Sequence, residues 1–393
     1  MLEQLQAIDP NLLTEIARNV QDCRSFTITD WHVDRLSTKG IINPDGLFLF
    51  QGTGHDGRVS RPWSTVLKII RRGGQEHDLR SIWYWKRELH TVQSGLLTRL
   101  PGGIRAPRIY AATEHTDSAW IWMEHIVPDS AQLWTPAQYA LAARAVGTLN
   151  GAYLAGTPLP DEPWLCTEHC GWWLAAIEHY DPERAWENRF VRAAFPTALR
   201  LRVERLRADR ERFLAVLTQL PQVFSHFDAQ RRNLFIRTHD DTPEVVAIDW
   251  ALVGCGPVGG ELCVLLADSA LLCELAADDV PELEEACTAA YLSGLADAGW
   301  SGDPGLVRLG YCAWFAMHIG AAAPGATVAW TGDETGEAMQ QAFGWDREAV
   351  VAQWARLCEL APAPLASSVR TSALSRLGAD ADVAVIDRYT IIW

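Results

Sequence analysis

The chain has no internal repeat, no low-complexity run and no long linker, so its 393 residues are not a solenoid or a string of tethered modules. No basic, apolar, small-residue leader opens it, and a cytoplasmic protein is expected. It also lacks positive charge. The formal net charge of −15 argues against nucleic acid or an anionic membrane as a partner. Its nine cysteines are odd in number and follow no disulfide-framework spacing, which suits a reducing compartment. Cys166-Thr-Glu-His-Cys170 has no second ligand pair, and a structural zinc site closes with four ligands, so no zinc is expected. The longest uncharged stretch, Leu309 to Trp330, is long enough to span a bilayer. Its Ala and Gly content and the break at Pro324-Gly325 instead read as a buried helix. No Gly-x4-Gly-Lys-Ser/Thr occurs, which excludes a P-loop.

What the sequence does have is concentrated between Val223 and Trp250. Val223-Phe-Ser-His-Phe-Asp-Ala-Gln-Arg-Arg-Asn-Leu-Phe235 is followed by Val245-Val-Ala-Ile-Asp-Trp250. Apolar runs at Leu234 to Ile236 and Val245 to Ile248, joined by the turn-like Thr238-His-Asp-Asp-Thr-Pro243, predict a hairpin that sets Asn233 beside Asp249. An Asp, an Asn five residues on and a second Asp after an apolar strand are the groups that phosphoryl transfer from a metal-bound nucleotide needs. On that reading Asp228 is the base for an attacking hydroxyl, His226 shapes its loop by hydrogen bonding, and Asn233 and Asp249 hold Mg2+. A bare His-x-Asp-x4-Asn is equally at home in a solvated turn; the hairpin and Ile248-Asp-Trp250 favour the catalytic reading. Val385-Ile-Asp-Arg388 also puts an Asp after an apolar run, but Asp387 has no companion motif and reads as a tail residue.

These motifs resemble the aminoglycoside phosphotransferase and choline kinase superfamily, small-molecule kinases of protein-kinase-like fold. There the site reads His-Gly-Asp-x4-Asn and then Ile-Asp-Trp. Phe227 stands where the family has Gly, and in Gly254-Cys-Gly-Pro-Val-Gly-Gly-Glu-Leu262 Glu261 stands where the family has Asp. The resemblance runs roughly from Thr29 to Ala316 and implies an α+β, bilobal fold. Residues 1–126 would be a nucleotide-binding lobe, an antiparallel sheet plus one helix, preceded by a helix from Asp9 to Val20. Residues 127–393 would be a larger, mostly helical lobe with the catalytic and acceptor sites. ATP and Mg2+ are the implied cofactors.

The upstream half contains the corresponding pieces. Trp63-Ser-Thr-Val-Leu-Lys-Ile-Ile70 is an apolar strand interrupted by Lys68, and a helical pattern beginning at Trp83-Tyr-Trp-Lys-Arg-Glu-Leu-His90 carries Glu88. Alone, Lys68 is a strand lysine snorkelling to solvent and Glu88 a solvated helix residue. As a pair they match a lysine steadying the α/β-phosphates, held by a helix carboxylate. Pro107 to Ala111 and Ala119 to Ile126 read as further strands, the second ending at Glu124 and Ile126, where the resemblance places the hinge beside the adenine. Leu36-Ser-Thr-Lys-Gly-Ile-Ile-Asn-Pro-Asp-Gly46, with Gly40, is the candidate phosphate loop and equally a plain hairpin.

Between Ala251 and Trp345 thirteen carboxylates face one guanidinium, Arg308. An acidic wall there would concentrate a cationic acceptor such as an amino sugar or amino alcohol, with Glu261 and Asp268 nearest the metal motif. The cluster from Asp278 to Glu285 also reads as a solubilising face. Trp164, Trp172 and Trp173, among eighteen tryptophans, fit an acceptor pocket or simply core. The expected activity is ATP-dependent phosphorylation of a hydroxyl on a small molecule. The alternative is an inactive nucleotide-binding scaffold, although the Lys, the base and the metal ligands are all present. Absence of Asp-Phe-Gly and Ala-Pro-Glu disfavours a protein kinase.

Overall fold

Apolar runs in the first third of the chain pair into one antiparallel sheet of β1 (Thr27–Arg35), β2 (Leu47–His55), β3 (Ser60–Arg71), β5 (Ile109–Glu114) and β6 (Ser118–Glu124), in the order β1-β2-β3-β6-β5. The computed structural model describes residues 5–36, 46–72, 78–127, 133–178, 182–239, 242–332, 336–337, 340 and 346–360. The candidate phosphate loop with Gly40, and Asp387, lie outside these residues.

Side-chain alternation divides the sheet into two faces. Leu67 and Ile69 of β3 point to one, where Phe48, Phe50, Trp63 and Trp122 bury Leu13, Ile16 and Ala17 of helix α1 (Pro10–Gln21). Helix α1 starts where Asp9 accepts from Asn11 N–H and Pro10 takes the first turn, and it stops at Asp22 in a left-handed conformation. Val66 and Ile70 point to the other face and pack with Ile121, Met123 and Leu89 of helix α2 (Arg87–Gln93). Lys68 falls on this second face, toward α2.

The helix expected from Trp83 starts only at Arg87. Ser81 accepts Trp83 N–H on its hydroxyl and Tyr84 N–H on its carbonyl, which holds that segment in turns.

The rest is mostly helical. Helix α3 (Pro136–Leu154), opened by a Thr135/Gln138 capping box, lies against α5 (Val280–Asp297), with α4 (His169–Glu178) between them in the chain. Glycines permit the close approach of α3 and α5: a Cβ on Gly147 would stand 2.2 Å from Tyr291 O, and one on Gly294 2.1 Å from Arg144 O. Within that seam Tyr291 OH donates to Asn150 Oδ1, and Asn150 Nδ2 donates to Phe224 O. Phe224 belongs to β7 (Gln222–Ser225), which pairs with β10 (Gly254–Pro257). The expected hairpin is β8 (Leu234–His239) with β9 (Thr242–Ala247), and β9 also pairs in parallel with β4 (Ile104–Arg105) from the sheet side. The Leu309 to Trp330 run is not one helix. It comprises helical segments Pro304–Ala321 and Ala323–Thr331, bent by 43°, and no single helix among the described residues is long and apolar enough to cross a membrane.

Because the α3–α5 seam places β7, Gly147→Val is expected to lower the thermal midpoint by several degrees, overpacking costing about 1–3 kcal/mol. Differential scanning calorimetry measures this, and an unchanged midpoint would show that the seam does not carry the lobe.

Candidate active site

The loop between β7 and β8 holds the first cluster. His226 donates from Nε2 to Ile248 O at 2.9 Å and accepts Asp228 N–H on Nδ1 at 3.2 Å, so one neutral ring ties the loop to the end of β9. Burial pushes its pKa down to about 4. Below it, buried Glu261 accepts His226 N–H at 2.8 Å and Phe227 N–H at 3.1 Å. Burial raises the Glu261 carboxyl to about 7 against the pull of these N–H groups. Glu261 was expected near the acceptor; at 2% exposure, with its carboxylate spent on the loop backbone, it braces the loop instead.

Phe227 occupies the left-handed region at φ 60, a conformation that costs a non-glycine residue about 1–3 kcal/mol. Packing offsets the strain. The ring stacks on Trp314 at 5.3 Å and on His169 at 4.7 Å, and glycine at 256 leaves it room, since a Cβ there would sit 2.5 Å from the ring.

Asp228 and Asn233 are joined directly. Asn233 Nδ2 donates to Asp228 Oδ2 at 2.7 Å and to Asp228 O at 2.9 Å. Burial, then the charges of Asp249 and Asp268, hold the Asp228 carboxyl well above the usual carboxylate range. The backbone bond from Ile248 N–H to Asn233 O sets the end of β9 beside Asn233, and Asp249 follows in a left-handed conformation at φ 64.

The second cluster centres on Lys68. Its Nζ lies 2.6 Å from Glu88 Oε2 and 2.6 Å from Asp249 Oδ1. Burial alone would discharge this ammonium, but Asp249 and Glu88 outweigh it and hold the pKa well above the ordinary lysine value. Partial burial opposes ionisation of Asp249, whose side chain is 40% exposed, and the Lys68 ammonium overrides it, so Asp249 is held below the usual range. With Asn233 Nδ2 and Asp249 Oδ1 engaged, the remaining side-chain oxygens are a hard-oxygen donor pair. Such a pair, completed by phosphate oxygens and water, fits Mg2+. No group of three or more His, Cys, Asp or Glu suited to a metal occurs among the described residues.

On the hinge side, a cleft of about 740 Å³ is lined by Gln51, Ser64, Glu124, His125 and Arg237. Val20 and Gln21 at the end of α1 and Trp63 of β3 also line this cleft, so it opens toward the α1 side of the sheet, and Lys68 is not in its lining. Glu124 was expected at the hinge through its backbone; its carboxylate meets Arg105 at 2.6 Å, Arg237 at 3.2 Å and Arg108 N–H at 3.0 Å. Its backbone N–H is also engaged, donating to Arg108 O at 2.8 Å. The Ile126 side chain is buried at the strand's end.

The acidic run is not a cleft wall. Glu274 pairs with Arg232, Asp278 with Arg356, Glu284 with Arg308 and Asp297 with Arg144, while Asp279, Glu282 and Glu285 are exposed. Asp333 and Glu334 lie outside the described residues. Asp268 is the exception: 8% exposed, its charge reaches Asp228, and Oδ2 lies 3.1 Å from His318 Nε2. Each partner of this pair sits in a π-helical segment, Val264–Asp268 and Phe315–Ala321, a geometry that often marks functional positions. His318 was missed in the sequence, although it is the one histidine in the uncharged run. Gln230, also missed, donates to Asp228 Oδ1 at 3.3 Å. Trp164 is core, and Trp173 donates to His318 O at 3.0 Å.

The sequence model described as the phosphotransferase enzyme family matches residues 53–301. No curated protein matches the sequence. Among solved structures the chain is similar to an aminoglycoside phosphotransferase from Alicyclobacillus acidocaldarius. Identity is 15% and the TM-score 0.48, over 87% of this chain and 96% of that one. It is also similar to a choline kinase from Cryptosporidium parvum, at 13% identity and TM-score 0.48, over 89% of this chain and 97% of that one.

The neutral His226 carries a pH dependence. In the unfolded chain an imidazole titrates near 6.5, and in the fold at about 4, so between those values the unfolded state binds more protons. Stability therefore falls as pH drops through this window, by roughly 3 kcal/mol from this group. Urea unfolding from pH 7 to 4 should show a shallower decline for His226→Asn than for the native chain; parallel declines would contradict the assignment.

Proposed function

Because the chain belongs to the phosphotransferase enzyme family, the superfamily of aminoglycoside phosphotransferases and choline kinases, we propose that this small-molecule kinase moves the γ-phosphoryl group of Mg-ATP to a hydroxyl of its acceptor. The observation that carries this reading is Lys68 shared between Glu88 and Asp249 at 2.6 Å each, one element away from the Asp228–Asn233 contact at 2.7 Å. A base, a metal-ligand pair and a phosphate-binding ammonium thereby converge. An inactive scaffold of this fold would be expected to have lost at least one of them. Residues 1–126 would form the nucleotide lobe and 127–393 the catalytic and acceptor lobe.

Lys68 would hold the α- and β-phosphates, with Glu88 fixing the ammonium. Asn233 and Asp249 would hold Mg2+, which when bound neutralises charge on the phosphates. Asp228 would accept the proton of the attacking hydroxyl, its carboxylate oriented by Asn233 and Gln230 and its backbone by His226. No covalent intermediate is required, so the protein's contribution is alignment and charge compensation. The acceptor would be small and cationic, an amino sugar or amino alcohol. That part rests on Asp268, the buried carboxylate of the acidic run whose charge reaches Asp228.

A screen of hydroxylated amines and matched neutral alcohols for ADP release with Mg-ATP tests the reading. Asp228→Asn and Asp249→Asn are expected to cut kcat by about 10²–10⁴-fold while the fold survives, as circular dichroism would show. Native turnover by either variant would remove that residue from the mechanism. If only neutral acceptors are phosphorylated, the cationic acceptor fails and the kinase stands.

A further inference from the structure

Arg87, the residue before Glu88, is fully buried, at 0% exposure. No carboxylate pairs with it among the described residues. All of its bonds go to backbone carbonyls: Nε donates to Trp164 O at 2.8 Å, Nη1 to Ala251 O at 3.2 Å and Ile82 O at 3.3 Å, and Nη2 to Ser81 O at 2.5 Å and Leu79 O at 3.0 Å. Buried guanidinium groups ordinarily sit on carboxylates, so five neutral acceptors around one cation is a specific arrangement.

The acceptors come from three parts of the chain. Leu79, Ser81 and Ile82 belong to the turns that lead into α2, Trp164 to the helical part, and Ala251 lies two residues past Asp249. The next side chain, Glu88, meets Lys68 at 2.6 Å. The first turn of α2 therefore holds the end of the hairpin at two points: Asp249, through the Lys68 that Glu88 also meets, and Ala251, through its carbonyl. In protein kinases the equivalent Lys–Glu pair is made and broken by moving the helix that carries Glu. Here, moving α2 away would strip the buried guanidinium of Trp164 O and Ala251 O, its two partners outside the segment that leads into α2, which is unfavourable.

We propose that Arg87 is a positioning residue that fixes α2 to the end of the metal-bearing strand, so that the Lys68–Glu88 pair is assembled before nucleotide arrives and does not act as a switch. This rests on the assignment of Lys68 and Glu88 to the nucleotide phosphates. A lysine cannot reproduce the planar fork that reaches three segments at once. A merely structural Arg87 would change stability and leave nucleotide affinity alone below the unfolding temperature.

Two measurements on the full chain decide it, both with Mg-AMP-PNP as the probe. In the native protein, hydrogen exchange of the amides of residues 87–93 should be equally slow with and without the probe. Arg87→Lys should bind the probe about tenfold or more weakly by calorimetry, with faster exchange in α2 that the probe restores. Ethylguanidinium, but not ethylammonium, should recover binding by Arg87→Ala. The proposal is overturned if α2 of the native protein becomes protected only when the probe binds, or if a folded Arg87→Lys binds it as the native chain does. Should the variants fail to fold, the exchange experiment on the native protein still decides. If the native chain does not bind the probe at all, the phosphate assignment itself falls; binding by the native chain and Arg87→Lys alike removes only this proposal.

Discussion

A single ammonium group, that of Lys68, ties the candidate site together. It lies on the α2 face of the sheet, almost out of reach of water, and meets one carboxylate from a helix and one from the end of a hairpin, each at 2.6 Å. A buried charge without partners is so costly that β3, α2 and the β9 terminus can coexist only where Lys68, Glu88 and Asp249 meet. The Arg105–Glu124–Arg237–Glu244 ion pairs tie the sheet to the same hairpin on the hinge side.

The loop between β7 and β8 is fixed by different contacts. Two of the five non-glycine residues with left-handed backbone among the described residues, Phe227 and Asp249, lie in this loop and just past the end of β9. Strain of this kind persists only where surroundings over-determine it. For Phe227 the surroundings are Trp314, His169 and the space above Gly256. Glu261 adds two backbone hydrogen bonds from beneath. The substitution of Phe for the family's Gly is thus accommodated by packing, and the substitution of Glu for Asp leaves a carboxylate that still reaches the loop.

Residues whose chemistry is local to a strand or turn were legible in the sequence. The hairpin from Leu234 to Ala247, the strand around Lys68 and the helix after Asp9 all follow from apolar periodicity and end signals, and each is present. What the sequence could not show was which partners lie across the fold. The acidic run looked like a wall because its arginines, Arg144, Arg232 and Arg356, come from elsewhere in the chain. Glu261 looked available to an acceptor because nothing in its neighbours reveals that its oxygens face the loop. Glu124 was placed at the hinge, but its arginine partners are supplied by β4 and β8. His318 lay within an apolar run, and only the packing of two π-helical segments brings it to Asp268.

The central claim, that Lys68 is held for the phosphates of a nucleotide, is tested most directly by calorimetric titration of Mg-AMP-PNP and of adenosine into the native protein and Lys68→Met. The account predicts that the variant loses affinity for Mg-AMP-PNP by about tenfold or more and binds adenosine as the native chain does. An unchanged affinity for Mg-AMP-PNP in a folded variant, or an equal loss for both ligands, would contradict it.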